Sequence, residues 1–149
     1  MNILIIEDDK KKVRGLMEYF RKDDVKVCES FQSGMRELKN NSEKYDFLIL
    51  DMTIPLWEKG RNDIGGNYEQ FGGEKILREM KRRNLMTATI LFTMFDVFPT
   101  KTGTITFSEL NQNYLEHFSG FYRGAVFYNT NEDNWIEALN KLIKKQSDE

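Results

Sequence analysis

The sequence predicts an α/β fold: a doubly wound, five-stranded parallel sheet with helices on both faces. Three observations carry that expectation. Short apolar runs alternate along the chain with stretches whose apolar residues recur at helical spacing. The first and third runs are apolar on both faces, as strands buried between two helical layers are. The length, 149 residues, suits one domain with one core.

The elements follow in order. Asn2–Ile6 (NILII) is a first strand that ends in Glu7, Asp8 and Asp9. Val13, Leu16, Met17 and Phe20 then recur at helical spacing and predict a first helix. Val25, Val27 and Cys28 suggest a short second strand, and Met35 and Leu38 mark a second helix. Phe47–Leu50 (FLIL) is a third strand, again ending in acid at Asp51, and Pro55 stops it shortly afterwards. Residues 56–73 hold five glycines and mixed charge and read as a long loop. Residues 74–83 predict a helix with Ile76, Leu77 and Met80 on one face; Lys81, Arg82 and Arg83 in its last turn suit the macrodipole. Residues 89–92 (TILF) are a fourth strand, ending at Thr93. In residues 96–122, the polar segment TKTGTIT reads as a loop or a small hairpin. Leu110, Tyr114, Leu115 and Phe118 follow it at helical spacing. Residues 124–128 (GAVFY) are a fifth strand, and residues 134–145 a closing helix with Trp135, Ile136, Leu139, Leu142 and Ile143 on one face. The expected organisation is one domain over residues 1–149 with enlarged loops at about 56–73 and 96–122.

Alternating strands and helices imply right-handed crossovers, and for five strands the flavodoxin-like order 2-1-3-4-5 is the common solution. In that order the first and third strands are neighbours. Their C-terminal ends carry Glu7, Asp8, Asp9 and Asp51, and ligands in open α/β sheets bind outside those ends. The acids are therefore expected in one crevice, with the Thr93 hydroxyl at its rim.

Composition narrows the classes of function. The chain is 40% hydrophobic and 31% charged, with a formal net charge of -2. It has no global basic field, and the run Lys81, Arg82, Arg83 is too short to argue for nucleic acid. The lone Cys28 cannot form an internal disulfide and reads as packing in a reducing compartment. The N-terminal apolar run is too short for a signal peptide, and no stretch approaches the ~20 apolar residues of a membrane span. The expected location is the cytoplasm, with neither a membrane nor nucleic acid as direct partner. The single histidine, His117, reads as a surface or half-buried helix residue.

Clustered carboxylates repel one another unless a cation intervenes, and hard oxygen ligands select Mg²⁺ or Ca²⁺. An aspartate can also attack phosphorus and form an aspartyl phosphate, with a metal and nearby donors stabilising the transferring oxygens. The basic run Lys10, Lys11, Lys12 opens the first helix against its macrodipole; it either offsets the neighbouring acids or forms a solvated face.

These segments resemble a known family. NILIIEDD is similar to the first strand of response-regulator receiver domains of bacterial two-component systems, which ends in an acidic pair. FLILDMTIP resembles their third strand with its phosphoacceptor and following proline. GGEKILREMKRR resembles their third helix, ATILFT their fourth strand, and GAVFY the lead-in to their fifth. The resemblance implies Asp51 as phosphoacceptor and Thr93 as the switch hydroxyl. It implies Mg²⁺ as cofactor, held among Glu7, Asp8, Asp51 and the backbone carbonyl of Thr53. It also implies a stand-alone signalling domain in a phosphorelay rather than an enzyme. The partners would be a sensor histidine kinase or phosphotransfer protein and a downstream effector protein.

The chain departs from the pattern in three places. Receivers carry a lysine and a proline after the fifth strand; counting from Gly124 and Ala125, Asn131 and Glu132 stand there. Asn131 can donate a hydrogen bond but brings no charge. The loop after Pro55 is longer than usual, and so is the segment between the fourth and fifth strands. The switch aromatic falls on Phe127 or Tyr128, with Tyr128 preferred. Trp57, Tyr68, Phe71, Phe95 and Phe98 in the enlarged segments form either partner surfaces or a local satellite core. Two other functions fit parts of the pattern. A degenerate receiver would work by protein binding alone. A Mg²⁺-dependent aspartyl-phosphate phosphatase would want a second acid two residues after the nucleophile, where this chain has Thr53.

Overall fold

A computed structural model of the chain describes residues 1–58, 68–69, 71–129 and 131–147. Five parallel strands form the central sheet: β1 (Asn2–Ile6), β2 (Asp24–Cys28), β3 (Phe47–Leu50), β6 (Thr89–Thr93) and β9 (Tyr122–Phe127). Their order is β2-β1-β3-β6-β9. Among strands of this sheet alone that is the expected 2-1-3-4-5. The helices are α1 (Lys10–Tyr19), α2 (Phe31–Asn41), α3 (Gly72–Arg83), α4 (Phe107–His117) and α5 (Asn134–Ser147).

Alternation along the strands sends side chains to two separate layers. Leu4, Ile6, Leu48, Leu50 and Leu91 pack on one face with Met35 and Leu38 of α2, Ile76, Leu77 and Met80 of α3, and Leu110 and Tyr114 of α4. Ile3, Ile5, Ile49, Ile90, Phe92 and Val126 pack on the other with Leu16 of α1 and Trp135 and Leu139 of α5. Local signals fix where the helices start and stop. Asp9 caps α1, Ser30 and Ser33 form a reciprocal capping box on α2, and Thr106 caps α4. Asn84 closes α3 in the left-handed conformation, at φ 57°.

The two enlarged segments carry small sheets of their own. β4 (Ile54–Pro55) pairs antiparallel with β5 (Tyr68–Glu69), shortly before α3 begins. Residues 59–67 and 70, within the loop expected at 56–73, lie outside the described residues. In the second segment, β7 (Val97–Thr100) and β8 (Gly103–Thr106) form a hairpin, one of the two forms that TKTGTIT allowed. Of the aromatics in these segments, Phe98 is buried in the core and Phe71 packs against it, while Trp57 and Phe95 are exposed; the Tyr68 side chain lies outside the described residues.

Some details differ from expectation. The last sheet strand starts two residues earlier than the GAVFY run, at Tyr122, and ends at Phe127. Gly124 sits inside it at φ 148°, where an added Cβ would come within 3.0 Å of Leu142; close packing of α5 onto the strand requires the glycine. Met17 and Leu115, expected on apolar faces, are exposed. His117 is exposed near the end of α4, and Cys28 is buried as packing. Among the described residues, no helix is long and apolar enough to cross a membrane.

Candidate functional site

The site forms where β1 and β3 end side by side. Ile6 is level with Leu50, and the Asp51 N–H donates to the Ile6 carbonyl at 3.1 Å, carrying the ladder one residue further. On the other side of β1, the Glu7 N–H donates to the Cys28 carbonyl at 3.0 Å. Glu7 and Asp51 are thus fixed by the sheet itself, 1% and 5% exposed. Asp8 follows Glu7 and is half-buried. One carboxylate oxygen from each of Glu7, Asp8 and Asp51 lies within 4.8 Å of the others. The predicted acids therefore do meet.

Each buried carboxylate divides its oxygens between two kinds of partner. Glu7 Oε2 accepts the backbone N–H groups of Asp8 and Asp9, both at 3.1 Å. Asp51 Oδ1 accepts the Met52 N–H at 2.8 Å. The remaining oxygens face a cation from α1. Lys12 Nζ lies 2.6 Å from Glu7 Oε1 and 3.0 Å from Asp51 Oδ2. Lys12 is only 2% exposed, whereas Lys10 and Lys11 are exposed. Asp9 sets this reach by capping α1 through the Lys11 and Lys12 N–H groups, at 2.9 and 3.1 Å.

The electrostatics follow from burial. Burial pulls the Lys12 ammonium down, but the Asp51 and Glu7 charges overcome it and lift it above its ordinary value. Burial pushes the Asp51 carboxyl up, against the pull of Lys12. Burial and the Asp51 charge push the Glu7 carboxyl above its ordinary value, against the pull of Lys12. Two buried acids share one ammonium, and Asp8 adds a third carboxylate nearby. An all-oxygen set of this kind fits a hard divalent cation such as Mg²⁺, which takes one or two carboxylates and keeps several waters. Thr53, half-buried two residues after Asp51, is close to the site in sequence.

Thr93 is the last residue of β6 and is fully buried. Leu50 is level with Leu91, so Asp51 and Thr93 leave the same edge of the sheet. Thr93 Oγ1 accepts the Phe95 N–H at 3.3 Å. The Tyr128 N–H donates to the Thr93 carbonyl at 2.8 Å. The Tyr128 ring is turned into the core, with centroids 5.3 Å from Phe92 and 5.8 Å from Trp135. Phe127 is the exposed aromatic of the pair and meets Phe107 edge-on at 6.0 Å.

Asn131 is exposed, and its N–H donates to Asn129 Oδ1 at 3.0 Å, in the turn beyond β9. The count that set it at the lysine position takes Gly124 and Ala125 as lead-in to the strand. In the structure they lie within it, opposite Ile90 and Leu91. The amine at Asp51 belongs instead to Lys12. A signal for this existed in the sequence: Lys12, Leu16 and Phe20 are spaced four apart, and all three are buried.

Comparison with known proteins agrees with this geometry. No family model matches the chain. It is 30% identical over 148 residues to the Detocs response regulatory protein DtcB of Enterobacter cloacae, covering 96% of this chain and 98% of that protein. It is also 30% identical over 145 residues to the uncharacterized protein y4jR of Sinorhizobium fredii, covering 93% and 94%. The chain belongs to the response-regulator receiver family. Solved receivers share the fold at low identity. The receiver domain of the Francisella response regulator 1452 matches with a TM-score of 0.59 at 18% identity, over 97% of this chain and 98% of that one. The non-phosphorylated HemR receiver domain of Leptospira biflexa matches at 0.61 and 15%, over 95% and 93%. A chain of the CheX–CheY–BeF3–Mg complex of Borrelia burgdorferi matches at 0.63 and 14%, over 97% and 87%. In this receiver the cation at the acidic cluster comes from α1.

Proposed function

We infer that this receiver accepts a phosphoryl group on Asp51, with Mg²⁺, as a signalling step in a two-component phosphorelay. The observation that carries the reading is the placement of Asp51. It is a buried carboxylate at a strand end, with Glu7 and Asp8 within 4.8 Å and a cation at its Oδ2.

The step is a displacement at phosphorus. An Asp51 carboxylate oxygen forms the O–P bond while the N–P bond of a phosphohistidine donor breaks. The electron pair returns to the donor imidazole. Glu7, Asp8, Asp51 and the Thr53 carbonyl would hold the Mg²⁺, which supplies positive charge to the transferring oxygens. Thr93 Oγ1 accepts the Phe95 N–H, and a hydroxyl that accepts keeps its own proton to donate. That proton is available to a phosphoryl oxygen. Asn131 is exposed, so any part it plays would need the turn after β9 to fold inward. Tyr128 would act through the core it packs in rather than by swinging at the surface.

A histidine kinase or phosphotransfer protein is the fitting donor. The rim beside Thr93, with exposed Met94, Phe95, Val97 and Phe127, suits a downstream protein effector. The chain on this reading is a switch, not a turnover enzyme. The test is incubation with a small acyl phosphate and Mg²⁺, read by intact mass. The expected result is a gain of one phosphoryl group, abolished by a chelator. No gain at saturating Mg²⁺ would overturn the reading in favour of a receiver that works by binding alone.

A further inference from the structure

We propose that Lys12 is the phosphoryl-binding residue of the Asp51 site, supplied by the first helix. The inference rests on Asp51 being the acceptor and adds the group that receives the transferred charge.

Three features of the geometry point to Lys12. First, its ammonium touches the acceptor carboxylate itself, 3.0 Å from Oδ2, the oxygen opposite the one that accepts the Met52 N–H. Second, Glu7 Oε1 holds the same ammonium at 2.6 Å. Glu7 Oε1 is buried, and the Lys12 ammonium is the cation that compensates it among the described residues. Third, lysine is rarely buried to this extent unless it is paired, and here the side chain is 2% exposed. The run of three lysines is thus divided: two face solvent, and one is built into the crevice.

The charges make the role specific. Asp51 as a free carboxylate carries one negative charge. As an acyl phosphate it presents a doubly charged phosphoryl group at the same place. An ammonium already held at Oδ2 pairs with the new oxygens after a small rotation of its stem, while Glu7 remains its second partner. No proton moves and no bond to Lys12 forms. The positive charge comes from α1, and the turn after β9, where Asn131 is exposed, need not provide one.

A purely structural counter-ion would behave differently. Mg²⁺ and Lys12 are like charges drawn to the same acids. Removing the ammonium therefore leaves Mg²⁺ binding unchanged or tighter, and weakens the hold on a phosphoryl group. A structural role predicts that both affinities fall together with the fold.

The experiment is calorimetric titration of wild type, Lys12→Met and Lys12→Arg with Mg²⁺, and then with beryllofluoride, a phosphoryl mimic, at saturating Mg²⁺. In Lys12→Met the beryllofluoride affinity is expected to fall about 10- to 100-fold, the value of one charge-assisted hydrogen bond. Mg²⁺ affinity is expected to hold or rise, and Lys12→Arg to restore part of the loss. Equal beryllofluoride affinity in Lys12→Met and wild type would overturn the proposal, and so would parallel loss of both ligands. If Lys12→Met does not fold, the wild type labelled with ¹⁵N-lysine decides. The buried ammonium resonance is expected to move when beryllofluoride is added to the Mg²⁺-loaded protein, and an unmoved resonance would overturn the proposal. If the wild type binds Mg²⁺ but neither beryllofluoride nor phosphoryl, Asp51 is not an acceptor and the reading beneath the proposal fails first.

Discussion

Gly73 lies so close to Asp51 that no side chain fits between them. A Cβ at Gly73 would stand 2.5 Å from the Asp51 carbonyl oxygen and 2.9 Å from the Met52 Cα. The Gly73 N–H donates to the Met52 carbonyl at 2.8 Å. The start of α3 is thereby seated directly on the acceptor loop. Both obstructing groups are backbone, so neither can turn aside. Gly73→Ala is expected to cost about 1–3 kcal/mol as overpacking. It is also expected to shift the Asp51 carboxylate and slow phosphorylation. Thermal melting and the rate of phosphoryl uptake check this; a variant equal to wild type in both would mean that α3 yields freely.

The acidic crevice gives a metal-dependent stability. Three carboxylates gather within 4.8 Å, and Lys12 balances only part of their charge. A divalent cation that binds only the folded chain stabilises it by mass action, by about 2.7 kcal/mol at a hundred times its Kd. Melting in Mg²⁺ and in chelator is expected to show that gain. Asp8→Asn removes one charge and is expected to shrink it. An equal midpoint with and without Mg²⁺ would show that the cluster does not hold the ion.

Stability at high pH draws on two buried phenols that face each other, Tyr114 of α4 and Tyr122 of β9. Burial raises both Tyr114 and Tyr122 above the ordinary 10.0. The Tyr122 hydroxyl donates to Asn111 Oδ1 at 2.7 Å, and the Tyr114 hydroxyl to Glu74 Oε1 at 2.8 Å. A group whose folded pKa is raised keeps its neutral form in the fold. Its contribution is complete below the unfolded pKa, and fades above it because the unfolded chain ionises first. The midpoint is therefore expected to fall as pH rises from about 9 to about 11. Tyr122→Phe is expected to flatten that slope while lowering stability at neutral pH. Melting curves across this range check it, and an unchanged slope in the variant would contradict it.

The sheet was legible because its signals are local and redundant. Asn2–Ile6 and Phe47–Leu50 are apolar on both faces, and both end in acid. Strand order follows from handedness, and that order alone brings Glu7, Asp8 and Asp51 together. Position along the last strand was harder to read. GAVFY marks an apolar run, but the strand begins ahead of it: Tyr122 pairs with Thr89, Arg123 sits at a register shift, and the strand ends at Phe127. A count from Gly124 and Ala125 into the following turn, which gives Asn131 as the lysine position, depends on where the strand begins. The run Lys10, Lys11, Lys12 allows both a charge that offsets the acids and a solvated face, and the structure divides it between the two. Only the spacing to Leu16 and Phe20 separates Lys12 from Lys10 and Lys11. The hairpin β7–β8 was ambiguous because Thr and Gly suit both strands and turns.

The central claim is that Asp51 is the phosphoacceptor. Its most direct test locates the group chemically. The protein is incubated with an acyl phosphate and Mg²⁺, the aspartyl phosphate is reduced with borohydride to homoserine, and the peptides are mapped by mass. The account expects homoserine at position 51 in the wild type and none anywhere in Asp51→Asn. Homoserine at another acid, or equal labelling of the Asp51→Asn variant, would contradict it.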